Sequence, residues 1–303
     1  MSTNRELRSA YVACARVAQA HYENFPVASW LLPQQMRQHV AAVYAFARAA
    51  DDFVDEGKLS ENERCTLLDG WTQRLQESVI AFQPGPPPRQ NEPLSTTEIF
   101  LALGATIREK RLPIELFLDL ISAFRQDVTT TRYASWVELF DYCRRSANPV
   151  GRLILRIAGE STDVLDSASD AVCTALQLTN FWQDMKSDFE RGRIYLPEQT
   201  WKVHGAREID LQYNKMSPEW RTSLSEAVSR TRQLFLAGQS VCDFSSGWFR
   251  YELRATWLGG VRILDRIEGV DFDVFQQRPT LRTIDGFWFL WQILVWHGIR
   301  DSR

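Results

Sequence analysis

The sequence has no hydrophobic run long enough to cross a bilayer, which takes roughly 18–20 consecutive apolar residues. The nearest approach, GFWFLWQILVW at 286–296, is too short. The opening MSTNRELRSA carries no hydrophobic signal core, so a cytoplasmic location is expected. Histidine is scarce: His21, His39, His204 and His297 are the only four, without zinc-like spacing. The five cysteines, Cys14, Cys65, Cys143, Cys173 and Cys242, are scattered and odd in number. That fits a reducing compartment better than a disulfide framework. Basic charge is not in excess, with 35 Lys and Arg against 38 Asp and Glu, which argues against a nucleic-acid partner. No glycine-rich fingerprint joins a strand to a helix, so no nicotinamide cofactor is expected. Alternating strand patterns and internal repeats are missing too.

What the chain does have is helical periodicity along most of its 303 residues. In LPIELFLDLISAF, the residues Ile114, Phe117, Leu118, Ile121 and Phe124 recur at steps of three and four. Pro33 suits a first helical turn. Ser95 with Glu98, and Ser135 with Glu138, have capping-box spacing. Gly159 and Gly269 are candidate stops. The spacing predicts helices over 3–22, 33–57, 60–82, 95–109, 113–128, 135–158, 164–189, 217–240, 246–268 and 280–299. QPGPPPRQNEP, centred on 83–93, cannot continue a helix and reads as a surface loop. The expectation is one all-α domain over 1–303, a helical bundle around a central cavity.

Two acidic clusters stand out. The first lies in RAADDFVDE and includes Asp51, Asp52, Asp55 and Glu56. At about 100° per residue, Tyr44, Arg48, Asp51 and Asp55 share one helix face. The second lies in QLTNFWQDMKSD, where Gln177, Asn180, Asp184 and Asp188 form one polar stripe. Leu176, Leu178, Phe181 and Trp182 flank that stripe. Polar groups in so apolar a setting are expensive unless they are paired or ligate something. A single D-x-x-x-D is usually a solvated helix face. Two such clusters, one with four specified polar positions, suit hard divalent cations bridged by a diphosphate. Arg48, Arg191 and Arg193 can supply direct phosphate contacts, or merely surface charge.

These paired aspartate helices, followed by RIYLP at 193–197, resemble the squalene/phytoene synthase family over roughly residues 15 to 270. The resemblance implies an all-α, Mg²⁺-dependent enzyme that works on prenyl diphosphates through cyclopropylcarbinyl intermediates, with two or three ions. It implies metal roles for Asp51, Asp55, Asn180, Asp184 and Asp188. It implies substrate contacts for His21, Arg48, Gln177, Arg193 and Tyr195, and a place at the reaction centre for Tyr142. The family's N-terminal serines are replaced here by Tyr22 and Asn24 in HYENFP, and YCRRSANPVG departs from the common form. These variants resemble the bacterial branch that takes presqualene diphosphate, rather than two molecules of farnesyl diphosphate, and lets water capture the cation. Tyr142, Tyr44 or Asn148 can position that water, and the sequence leaves the choice open. Phe25, Phe46, Phe181, Trp182 and Trp257 are candidate aromatic walls, or simply core. A non-catalytic assembly factor of the same fold is the reading from another class. The C-terminal aromatic stretch reads as a helix closing the bundle or as one lying in a membrane interface, giving peripheral contact at the inner membrane face. Neighbouring pathway enzymes are the remaining partners expected.

Overall fold

The computed structural model describes residues 2–20, 32–55, 59–80, 95–244, 247–281, 292–293 and 295–296. His21, Phe25, the Asp55 side chain, the proline-rich segment and most of the aromatic C-terminal stretch lie outside the described residues. The described chain is all-α. Its extended pairing is confined to an isolated bridge between Arg132 and Ile194. Contacts divide it into two compact units, Met1–Thr129 with Pro149–Ser161, and Thr130–Asn148 with Thr162–Arg303.

The first unit is built from α1 (Ser2–Ala20), α2 (Gln34–Asp55), α3 (Glu61–Ile80), α4 (Thr96–Lys110), α5 (Ile114–Asp127) and nearly all of α7 (Asn148–Ala158). Its core gathers around Phe46, which is fully buried among Trp71, Phe100 and Phe117. Phe46 is therefore core. At Gly104 an added Cβ would lie 2.6 Å from the Ser78 carbonyl oxygen, so this glycine lets α3 and α4 approach closely.

The second unit holds α6 (Trp136–Ser146), α8 (Asp163–Gln183), α9 (Met185–Glu190), α10 (Glu198–Val203), α11 (Glu208–Leu211), α12 (Pro218–Gly238), α13 (Val241–Phe244) and α14 (Phe249–Gly269). Helices α8 and α12 pack along their length, and Gly238 allows it: a Cβ there would meet the Ala168 carbonyl oxygen at 2.5 Å. Trp182 donates its indole N–H to Thr231, and Trp257 donates its own to the Phe235 carbonyl, at 2.8 and 2.9 Å. Both rings are core of this unit.

Several helix limits differ from the periodicity. The helix expected over 135–158 is two, α6 and α7, broken at Ala147. Pro149 has no N–H to continue the ladder, and Ala147 sits at φ −112°. The helix expected over 164–189 also breaks, at Asp184 (φ −100°, ψ 10°). The short α10, α11 and α13 gave no periodic signal. Ser135 accepts from the Glu138 amide as a cap, at 3.3 Å. Ser95 sits in αR geometry with no side-chain cap bond. Gly159 ends α7 at φ +79°, as expected. After Gly269, positive φ falls instead on Asp271 and Phe272.

Candidate active site

In the first unit the acidic cluster ends α2, which stays unbroken to Asp55. Arg48 pairs with Asp51 at 3.5 Å and with Asp52 at 2.6 Å, the i+3 and i+4 neighbours on its own helix. All three are partly exposed. Asp52, given no role by the face count, is the nearer partner. Tyr44 lies one turn before Arg48, and burial pushes its hydroxyl pKa up, with Arg48 acting the other way. Tyr44 therefore keeps its proton near neutrality.

In the second unit the polar stripe crosses the α8–α9 break. Gln177 and Asn180 lie on α8, Asp184 at the junction and Asp188 on α9. The stripe predicted for a straight helix is thus bent, but the ladder persists across it. Asp184 N–H donates to the Asn180 carbonyl, and Asp188 N–H to the Asp184 carbonyl, both at 2.9 Å. The Ser187 hydroxyl also donates to the Asp184 carbonyl at 2.9 Å, the local competition that distorts a helix. Asp184 is engaged on both oxygens: Oδ2 accepts from the Asn180 amide at 2.9 Å, Oδ1 from Arg278 Nε at 2.5 Å. Gln183 donates to the Pro279 carbonyl at 2.6 Å, fastening the same strap one residue on. Arg278 had no local signal, standing 94 residues from its partner.

Beyond α9 the chain turns sharply. The amides of Arg191 and Arg193 return to the Asp188 carbonyl at 3.1 and 2.8 Å, and Gly192 takes φ +80°. Arg191 is exposed and Arg193 half-buried. Two residues later the Tyr195 ring lies parallel to Phe181, with centroids 3.6 Å apart. Tyr142 is 6.1 Å from Phe181 and 6.3 Å from Tyr195. Tyr133, not singled out in the sequence, completes the group at 5.6 Å from Tyr142 and 5.9 Å from Tyr195. All four rings are buried. Three predicted residues thus meet in one aromatic cluster. Asn148 is also buried, and its Oδ1 accepts from the Thr174 hydroxyl at 2.9 Å.

Among the described residues, no group of three or more His, Cys, Asp or Glu side chains could hold a metal ion. The donors in place still fit magnesium, because they are all hard oxygens. That ion keeps several waters and needs one or two carboxylates when phosphate completes its shell. No helix among the described residues is long and apolar enough to cross a membrane.

The squalene/phytoene synthase profile matches residues 18–285. A hydroxysqualene synthase from Rhodopseudomonas palustris is 37% identical over 72% of this chain and 69% of its own length. A chloroplastic phytoene synthase from Daucus carota is 31% identical over 90% of this chain and 67% of its own. A solved squalene synthase, HpnC, from Alicyclobacillus acidocaldarius is 36% identical, covers 88% of this chain and 96% of its own, and superposes with a TM-score of 0.79. Helical fold, motif order and these likenesses agree: the chain belongs to the squalene/phytoene synthase family, whose members are enzymes acting on prenyl diphosphates and generally depend on divalent metal.

Proposed function

We propose that this chain takes presqualene diphosphate, ionises it, and lets water capture the rearranged cation, giving hydroxysqualene and diphosphate. The observation that carries this reading is the higher identity to the hydroxysqualene synthase, 37% against 31% for the phytoene synthase. The replacement of the family's N-terminal serines by Tyr22 and Asn24 agrees with it. An enzyme that holds one diphosphate instead of two needs fewer phosphate contacts.

The atoms balance simply. The C–O bond to diphosphate breaks and its electron pair leaves with the diphosphate. The cyclopropylcarbinyl cation opens, water forms the new C–O bond, and one proton is released. Asp51, Asp55, Asn180, Asp184 and Asp188 would hold magnesium, which neutralises the leaving diphosphate. His21, Gln177, Arg48, Arg191 and Arg193 bind and orient the substrate. The aromatic faces of Tyr142, Phe181 and Tyr195 stabilise positive charge near them by cation–π attraction, and Phe25 adds to the apolar wall. The attacking water must aim a lone pair at the cation, so its hydrogens need acceptors. Asn148 has Oδ1 engaged by Thr174, and Tyr44 stands beside Arg48 and its carboxylates. Tyr142 is the candidate within the aromatic cluster, and its hydroxyl oxygen can accept from water.

We further propose that 1–303 works as one catalytic unit in the cytoplasm, peripheral at the inner membrane face, where its substrate is drawn from lipid and passed to neighbouring enzymes. Incubation with Mg²⁺ and either presqualene or farnesyl diphosphate, read by mass spectrometry with and without chelator, tests the chemistry. Hydroxysqualene from presqualene diphosphate is expected, and no product once the metal is chelated. Turnover of farnesyl diphosphate alone would move the chain to the condensing enzymes. That second reading is favoured by the longer alignment with the phytoene synthase, 90% of the chain against 72%.

A further inference from the structure

Residues 131–134 are joined by backbone bonds to Ile194 and to the first turn of α10 in the second unit. Ile194 N–H donates to the Thr131 carbonyl at 3.0 Å, Glu198 N–H to Tyr133 at 2.9 Å and Gln199 N–H to Ala134 at 3.1 Å. This short ladder is how Tyr133 reaches Tyr195. Within it, between Thr131 and Tyr133, stands Arg132, which the proposed reaction does not use.

The Arg132 guanidinium spans three partners. Nη1 donates to the Gly192 carbonyl at 2.6 Å and to the Thr131 carbonyl at 2.8 Å. Nε donates to Glu208 Oε2 at 3.3 Å, and Nη2 to Glu208 Oε1. Glu208 opens α11 and grips the guanidinium in the two-pronged manner that fixes its plane. Gly192 lies between Arg191 and Arg193. The turn is therefore held from two sides, by the Asp188 carbonyl through the Arg191 and Arg193 amides and by Arg132 through the Gly192 carbonyl. Gly192 at φ +80° has no backbone preference of its own to keep this shape, since glycine moves freely between left- and right-handed regions.

We infer that Arg132 is a positioning residue for diphosphate, acting through Gly192 to aim Arg191 and Arg193, with Glu208 orienting Arg132 in turn. The inference rests on the reading that Arg191 and Arg193 meet the diphosphate. A purely structural clamp would stabilise the unit without touching anion affinity. An exposed ion pair does little more than that. The difference is measurable, and Arg221 supplies the control. It clamps Asp271 and Asp273 in the same unit, on the chain that follows α14.

The experiment titrates inorganic pyrophosphate, with Mg²⁺ present, into the full chain and into R132M, R132K, E208Q and R221M. Melting temperature and steady-state kinetics on presqualene diphosphate are measured in parallel. Supporting contacts behind a ligand typically contribute about 10–100-fold, so R132M should weaken pyrophosphate about 10-fold and raise KM about as much. Its kcat should stay within about twofold. R132K, able to reach one carbonyl but not to fork, should recover part of the loss, and E208Q should fall between. R221M should lower the melting temperature and leave pyrophosphate affinity alone. A lowered melting temperature with unchanged pyrophosphate affinity in R132M overturns the inference. If R132M fails to fold, unchanged affinity in E208Q overturns it instead. A wild-type chain that binds no pyrophosphate overturns the proposed function and this inference with it. Binding by wild type with no change in the variants removes the inference alone.

Discussion

The two acidic patches solve the same electrostatic problem differently. On α2 the carboxylates of Asp51 and Asp52 are balanced by Arg48, three and four residues away on an unbroken helix. At the α8–α9 junction Asp184 is balanced by Arg278, from a strap 94 residues later, and the helix beneath it is bent. The first patch is a local design that helical spacing dictates. The second is a tertiary one. Its counter-charge comes from the strap after α14, not from the helix that carries the carboxylate.

The largest effects should come from the carboxylates. Asp184→Ala and Asp51→Ala are each expected to reduce turnover of presqualene diphosphate more than about 100-fold, since losing a ligand should exceed the 10–100-fold of losing its supporting contacts. Circular dichroism should show unchanged helicity in both. Retained turnover in Asp184→Ala, with Asp51→Ala inactive, would break the comparison and make the second patch structural.

That contrast also explains what could be read from the residues. Tyr44, Arg48 and Asp51 were legible as one face because a helix repeats every 3.6 residues and nothing interrupts α2. Asp184 and Asp188 were legible as members of a stripe, but the bend between α8 and α9 was not. It comes from Ser187 and Asp188 sharing one carbonyl, which apolar spacing does not encode. Tyr142 and Tyr195 were legible by resemblance and Phe181 as a candidate wall, but their meeting in one aromatic cluster was not, and Tyr133 required the backbone bonds of 131–134. Arg278 and Arg132 could not be found at all, because their partners are distant in sequence. The break at Ala147 is written in Pro149, which has no N–H to continue the helix.

A third carboxyl sharpens the contrast, because no arginine among the described residues balances it. Glu252, in the first turn of α14, is buried, and its Oε2 has no hydrogen-bond partner among the described residues. Burial raises its pKa from 4.5 to about 7. The folded state therefore keeps a proton that the unfolded state gives up as pH rises through about 4.5. Stability should fall from there to about pH 7 and level off above it, by about 3 kcal/mol at most. Glu252→Gln should flatten that profile, matching wild type near pH 5 and exceeding it near pH 8 in urea unfolding. Parallel profiles would show that Glu252 finds a charged partner after all.

Helix caps carry the local-versus-tertiary distinction to a smaller scale. Ser135 and Ser95 share the same S-x-x-E signature, yet only Ser135 accepts from the backbone three residues on. Ser135→Ala should cost about 1 kcal/mol, and Ser95→Ala close to nothing. Equal losses in thermal melts would return both sites to the sequence rule.

The smallest expected effect bears most directly on the two patches. Arg278 and a divalent cation contend for the same oxygen, Asp184 Oδ1. The Arg278 side chain is 56% exposed, so water screens the pair and it contributes only about 0–1 kcal/mol. Removing it should ease metal entry by no more than about fivefold. Arg278→Met should therefore bind Mn²⁺ slightly more tightly in the absence of substrate, as read by electron paramagnetic resonance. Arg48→Met should act in the same direction at Asp51, with no effect on Mn²⁺ affinity at Asp184. Weaker Mn²⁺ binding in Arg278→Met would mean that the strap holds Asp184 in a ligating pose rather than competing for it. The tertiary patch would then depend on its distant arginine in a way that the local patch does not depend on Arg48.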